Sequence, residues 1–239
     1  MRRCLRTGVL ALLGACLLGL SGCASSPPTR FYVFPSLSGA ETAPPSAPHD
    51  LTLGVGPVTL HPYLDRLQIV TRASHARLIL GEFDQWAAPL QDTITRALAE
   101  NLSLLIPTDR VLLHPWSRTA EPDYQVQVEV TQFDAGPNGE VILAGRWRIL
   151  SPDGKELVTR KARLTAAAGR QDYEATVIAM GYTLKALSQD IAAALLTLVQ
   201  QAPKSEQGAH ESPPAAAQHR PFEFVPIKSW AARGSVALH

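Results

Sequence analysis

Cys23 is the residue of this chain whose surroundings most plainly prescribe a reaction. It closes the run Leu20-Ser21-Gly22-Cys23, behind an apolar stretch over residues 10–20 and a start that carries Arg2, Arg3 and Arg6. Small residues before a thiol, a short greasy segment and a cationic beginning make the layout of a bacterial lipoprotein signal. The expected chemistry is a diacylglycerol joined to the sulfur as a thioether, removal of residues 1–22, and acylation of the new amino group. As a helix, residues 9–20 reach about 18 Å against a hydrocarbon core of about 30 Å. The run therefore reads as a processing signal and not as a spanning helix. Each buried methylene contributes about 0.8 kcal/mol, and two lipid signals already anchor stably, so three chains on Cys23 hold firmly. Beyond the diacylglycerol and N-acyl chain, no cofactor is expected.

A second stretch is chemically dense. His61-Pro62-Tyr63-Leu64-Asp65-Arg66-Leu67-Gln68-Ile69-Val70-Thr71-Arg72 gathers an aromatic phenol, an acid, two guanidiniums and an amide. Tyr and Arg offer large contact area and forked hydrogen bonding at modest entropy cost, which suits a subunit or partner contact through Tyr63, Asp65, Arg66, Gln68 and Arg72. An internal ion pair from Asp65 to Arg66 or Arg72, fixing a turn, is the structural alternative.

Other chemistries find no constellation. The histidines at 49, 61, 75, 114, 210, 219 and 239 never recur at three- or four-residue spacing, so no helical metal pair and no HExxH motif exists. Gly54-Val55-Gly56 lacks the third glycine and the following helix of a dinucleotide loop, and neither a Walker run nor a GxSxG elbow is present. Cys4 and Cys16 lie inside the leader and Cys23 is consumed by lipid, so the mature chain offers no thiol for disulfides, zinc or nucleophilic catalysis. The reading is of a protein that is not an enzyme and holds no metal. Loss of the leader removes three arginines and no acid from 22 basic and 21 acidic residues, leaving 19 against 21. Such a balance argues against nucleic acid as a partner.

The elements that must position these groups follow from periodicity. Residues 24–28 form a tether that reaches at most about 17 Å. Residues 30–34 read as a first strand, followed by a loop carrying Pro44, Pro45 and Pro48. Residues 51–60 read as a second strand with Leu51, Leu53, Val55 and Pro57 on one side and a bulge near Gly54 to Pro57. Residues 67–71 and 77–83 are shorter strand candidates. Residues 89–106 place Leu90, Ile94, Ala97, Leu98, Asn101, Leu102 and Leu105 on one stripe, an amphipathic helix stopped by Pro107. A short strand at 111–114 precedes 123–133, where Tyr124, Val126, Val128 and Val130 alternate with polar residues. Turn residues at 136–139 and 151–154 then join strands 141–149 and 156–165 into a meander. Residues 172–199 form the longest helix, its stripe running from Tyr173 through Val177, Met180, Leu184, Leu187, Ile191 and Leu195 to Leu198, and covering most of one sheet face. Trp86 and Trp116, each near a Pro, read as caps on the core, with a lipid-facing position as the alternative.

The expectation is a single α+β domain over residues 29–200: a mixed or antiparallel sheet with a C-terminal β-meander and two long amphipathic helices on one face. Residues 1–22 are the signal peptide and 23–28 the lipidated tether. Residues 201–239, rich in Pro, Ala, Ser, Gln and His, read as a disordered tail that ends in Phe222, Phe224, Val225, Ile227 and Trp230.

The lipobox, Arg30-Phe31-Tyr32-Val33-Phe34, Gly54-Val55-Gly56-Pro57-Val58, and Tyr63-Leu64-Asp65-Arg66 with Gln68-Ile69-Val70-Thr71-Arg72 together form a recognisable set. With Trp86-Ala87, Pro89-Leu90, Ala99-Glu100-Asn101-Leu102 and Leu187-Ser188-Gln189-Asp190-Ile191-Ala192, the chain resembles the PqiC-like lipoproteins from about residue 23 to 200. These are also described as ABC-type transport auxiliary lipoproteins or membrane-integrity-associated transporter subunits. Leu67 stands where many relatives carry Pro, and nothing is carried over to the tail. The resemblance implies a periplasm-facing domain anchored in outer-membrane lipid, docked on an MCE-type protein of an intermembrane lipid transporter, and assembled as a homo-oligomeric ring. Ala24 after the lipidated cysteine, where Asp would retain the protein at the inner membrane, agrees with export to the outer membrane. A carrier that itself binds a lipid or other small hydrophobic ligand, between Trp147 and the long helix, is the alternative; an envelope hydrolase is the weakest reading.

Overall fold

The alternating run that begins at Tyr124 becomes the axis of the sheet. The computed structural model describes residues 26–35, 51–106, 108–117, 120–169 and 172–201. The expected leader, Cys23, the proline-rich loop at 36–50 and the tail beyond residue 201 lie outside the described residues. In chain order the elements are β1 (Arg30–Tyr32), β2 (Thr52–Leu60), β3 (Gln68–Ser74), β4 (Arg77–Trp86), α1 (Leu90–Leu105), β5 (Arg110–Leu113), β6 (Tyr124–Ala135), β7 (Glu140–Leu150), β8 (Glu156–Ala167) and α2 (Tyr173–Gln201).

The eight strands form one curled mixed sheet, in the order β1-β4-β3-β6-β2-β5, with β7 and β8 added beside β6. One edge of β6 pairs antiparallel with β7 from Gln125↔Leu150 to Ala135↔Val141. Its other edge is shared. It runs parallel to β2 from Leu53↔Tyr124 to Leu60↔Val130, and then takes β3 at Thr71↔Ala135. β8 continues the meander antiparallel to β7, and its Ser151-Pro152-Asp153-Gly154 turn has Gly154 at φ 80°, the left-handed conformation expected there.

Two bulges change the phase of the strands. The register shift between Val55 and Val58 turns Val58 into the core at 1% exposure, so Pro57, expected on the buried side, is only half-buried. Gly56, at φ 112°, supplies the backbone conformation the shift needs. A second shift between Val130 and Gln132 puts Phe133 in the core.

Both helices lie on the inner face, but they divide it. α1 packs on β2 and β5, while α2 packs on β7, β8 and part of β6, so α2 covers the meander and not most of the sheet. Ile94, Leu98 and Leu102 of α1 and Met180, Leu184, Leu187, Ile191 and Leu195 of α2 are at or near zero exposure, as their spacing requires. α1 ends at Ile106, which is extended at φ −117°, ψ 129°, the region the following Pro107 favours. Asp172 caps α2 by accepting from the Ala175 N–H at 2.7 Å. Where the helices cross, Asn101 Nδ2 donates to Ser188 Oγ at 3.0 Å, and Ser188 Oγ donates in turn to Leu184 O at 2.8 Å. Trp86 is 2% exposed against Phe34 at 5.0 Å between ring centroids. Trp116 lies half-buried over Gly54.

Close approach of β6 and β7 requires Gly145, where an added Cβ would stand 2.1 Å from Glu129 O. Gly145→Ala should lower the unfolding free energy by about 1–3 kcal/mol by overpacking. Gly154→Asn, with nothing within 4 Å of the added atom, meets only the left-handed backbone penalty at φ 80° that Asn bears best, and should cost about 0.5–1 kcal/mol. Thermal and urea denaturation of the two variants check the contrast.

Candidate functional site

The dense segment noted in the sequence bridges β2 and β3 at the place where β6 changes partners. His61 N–H closes the β2 ladder on Val130 O at 2.9 Å, and the chain then folds tightly, Leu64 N–H to His61 O at 2.8 Å and Arg66 N–H to Leu64 O at 2.8 Å. Leu64, 1% exposed, plugs the turn into the core. Leu67 O then accepts the Trp86 N–H at 2.7 Å, which delivers the chain into β3 beside β4.

Asp134, near the end of β6, lies beneath this turn with no exposed surface. Tyr63 Oη donates to its Oδ2 at 2.8 Å, Arg72 Nη2 to Oδ2 at 2.9 Å, Arg72 Nε to Oδ1 at 3.1 Å, and Gln132 Nε2 to Oδ1 at 2.9 Å. The Arg72 guanidinium stands 6.0 Å from the centre of the Tyr63 ring and also reaches His75 O at 3.1 Å. Burial pushes the Asp134 carboxyl up, but the donors of Arg72, Gln132 and Tyr63 outweigh it and hold the group below its ordinary value. The same burial, with the bond to Asp134, pushes Tyr63 up to about 12. Above this network opens a cleft of ≈ 640 Å³ whose walls include Arg72, His75, Gln132, Ile142 and Arg163.

The structure thus separates the residues singled out in the sequence. Tyr63 and Arg72 turn inward and meet on Asp134. Arg72 pairs with Asp134 and not with Asp65, and Arg66 Nε donates to Tyr63 O at 2.8 Å, bracing the turn. Asp65 is exposed, and so is Leu67 at 46%. Gln68 is half-buried at the start of β3, opposite Gln85. Cys23 lies outside the described residues. Sequence reasoning missed Asp134. Strict alternation from Tyr124 would have put an acid at position 134 on the core side, and that conflict was the available signal.

Two further carboxylates repeat the device. Asp84 of β4 accepts from Arg30 Nε at 2.8 Å, Arg30 Nη2 at 2.7 Å and Tyr32 Oη at 2.7 Å, which ties β1 to its neighbour. Asp190 of α2 accepts from Trp147 Nε1 at 3.1 Å and Arg160 Nη1 at 2.7 Å, with Arg160 over the indole at 5.5 Å. Trp147, fully buried, thereby closes against α2. Among the described residues no group of three His, Cys, Asp or Glu side chains could hold a metal ion, and no helix is long and apolar enough to cross a membrane.

Comparison with known proteins follows the same outline. The pattern of the ABC-type transport auxiliary lipoprotein component matches residues 32–192. The intermembrane transport lipoprotein PqiC of Escherichia coli K12 is 28% identical over 161 residues, 67% of this chain and 83% of the relative, and that of Shigella flexneri matches equally. Among solved structures, a crystal structure of an uncharacterised protein superposes with TM-score 0.59 at 20% identity, over 71% of this chain and 99% of the other. One from Xanthomonas campestris gives 0.58 at 17%, over 72% and 98%. These two share the fold.

The low folded pKa of Asp134 sets a sign. A carboxyl whose pKa is depressed on folding contributes fully above its unfolded value, about 3.9, and that contribution drains as pH falls through the folded value. Urea denaturation between pH 7 and 2 should show wild-type stability falling below about pH 4, and Asp134→Asn with a shallower fall. It should not be flat, because Arg30 also holds Asp84 low. At pH 7, Asp134→Ala should cost about 3 kcal/mol, the lower end for breaking a buried pair, since Arg72 at 22% exposure can regain water.

Proposed function

The chain belongs to the ABC-type transport auxiliary lipoprotein family, and from that premise we propose that it is the non-enzymatic docking subunit of an MCE-type intermembrane lipid transporter, held on the periplasmic face of the outer membrane. The observation that carries this reading is the extent of the match, which runs from the end of β1 to about two-thirds of the way along α2 and takes in both inward-facing members of the segment, Tyr63 and Arg72. The proteins matched at 28% identity are themselves intermembrane transport lipoproteins.

In the proposed arrangement, residues 1–22 are removed, Cys23 carries the acyl chains, and residues 23–28 hold the domain of residues 29–200 close to its leaflet. Copies assemble into a ring around the end of a conduit formed by the MCE-type partner. The exposed side of the β2–β3 turn, Asp65 and Leu67, forms part of the contact between copies or with that partner, and the Asp134 network beneath it keeps the turn in one conformation. A pre-ordered contact surface binds without first losing chain entropy, which is what a docking subunit needs.

Two outcomes are expected. Cys23→Ala should leave a folded protein that no longer sediments with outer-membrane vesicles, and affinity isolation of the wild-type lipoprotein from native membranes should recover an MCE protein with its permease. Retention of the variant on the outer membrane, or isolation without those partners, would remove the anchor or the partner from the reading. Separately, Leu67→Asp and Asp65→Lys should reduce the oligomer seen by analytical ultracentrifugation while leaving the melting temperature within a few degrees of wild type. A wild-type protein that is monomeric throughout would refute the ring.

A further inference from the structure

Four large apolar side chains stand in water on one side of the domain: Phe31 at 64% exposure, Val33 at 63%, Ile178 at 40% and Tyr182 at 61%. Phe31 and Val33 are two residues apart on the edge chain, on the side opposite Tyr32 and Phe34, which turn inward; Phe34 packs on Trp86 and on Phe133 at 5.9 Å. Ile178 and Tyr182 are four apart on α2 and so share a helical face. The two pairs are brought side by side. Arg30 and Tyr32 fall within electrostatic range of Tyr173 and Glu174, and Pro35 lies 3.2 Å from where a Cβ of Gly181 would be. Five extended residues span about 16 Å and eight helical residues about 12 Å, so the segment from Arg30 to Pro35 runs beside α2 between Tyr173 and Gly181, the stretch that carries Ile178.

We infer that this patch rests in the headgroup region of the bilayer that carries the acyl anchor, giving the domain a second, non-covalent membrane contact that fixes its orientation. The inference rests on acylation of Cys23 as proposed above. Phe31 follows Cys23 by eight residues and therefore lies within about 28 Å of the lipidated sulfur at full extension. A stable contact with a second copy needs about 800 Å² from each partner, more than four side chains supply. Seating in a bilayer interface needs no complementary shape, and a covalent anchor keeps the surface at hand, so even a weak contact is populated. Tyr and Phe suit that depth, with an apolar body and, in Tyr182, a polar tip that stays wet.

The test uses the full-length acylated protein in vesicles of phosphatidylethanolamine and phosphatidylglycerol. With its leader gone and Cys23 acylated, the chain has no free thiol, so Tyr182→Cys accepts a single environment-sensitive fluorophore. Thr165→Cys, exposed on β8 on the face away from the helices, serves as the control. The label at 182 should shift to the blue on reconstitution and be quenched by lipids spin-labelled near the headgroup, while the label at 165 stays unchanged. Co-flotation with vesicles and a label at 182 still in water would overturn the patch and leave the anchor standing. Failure to co-float would overturn both. A blue shift that appears in detergent and grows with protein concentration would assign the patch to contact between copies and overturn the membrane assignment.

Discussion

An ionised carboxylate with no exposed surface has to receive hydrogen bonds from every side it presents, and Asp134 imposes that demand at the one point where the sheet is divided. β6 pairs with β2 along its first half and with β3 at its end, so between them the edge passes from one strand to another. Two of the residues that satisfy Asp134 flank this crossing, Tyr63 in the β2–β3 turn and Arg72 in β3 itself. Leaving the charge without them would cost several kcal/mol, a large part of the stability of any domain this size. The path of residues 61–72 is therefore set by one acid on another strand, and the turn is ordered by the same bonds that order the sheet.

The three carboxylates that each receive a guanidinium and an aromatic donor are not equal. Asp190 and Arg160 are 41% and 50% exposed, so that pair contributes no more than about 1 kcal/mol, and the Trp147 indole matters more for closing α2 on the meander. Asp84 is buried but Arg30 is 63% exposed, so its energy is discounted by water and its effect is chiefly to hold a three-residue strand on the sheet edge. Only at Asp134 do a fully buried acid and a mostly buried arginine meet. Magnitude thus places the strongest constraint beneath the segment whose composition is most unusual.

Much of this was legible in the sequence, and what was not has physical causes. The meander was open to reading because period-two alternation and turn chemistry are local, and α2 because its stripe from Val177 to Leu195 repeats for many turns. Strands β3 and β4 were drawn too short because Gln68–Ser74 and Arg77–Trp86 do not alternate cleanly; they sit where a bulge shifts the register between Gln68 and Val70. Parallel pairings such as β2 with β5 and β1 with β4 are made by residues more than fifty positions apart, and no periodicity announces them. Each bulge also inverts the parity on which alternation arguments stand, which is why Val58 replaced Pro57 in the core. The site divided in the same way. Tyr63, Arg66 and Arg72 stood out by their concentration, whereas Asp134 lies on another strand, 62 residues beyond Arg72.

Rigidity and tethering act on the same quantity. A domain held to a leaflet by a short chain has already lost most of its translational freedom, so a docking contact is made at high effective concentration and needs little affinity of its own. What remains to be lost is orientation and the conformational entropy of the contacting segment. The Asp134 network removes the second before any partner arrives, since Tyr63, Arg66 and Arg72 are already held. In the proposed assembly the exposed residues Asp65 and Leu67 are then one ordered part of a larger contact surface. The segment's best donors, turned inward to an acid of their own chain, stiffen the turn, and in the proposed assembly specificity falls to the smaller, outward side chains between them.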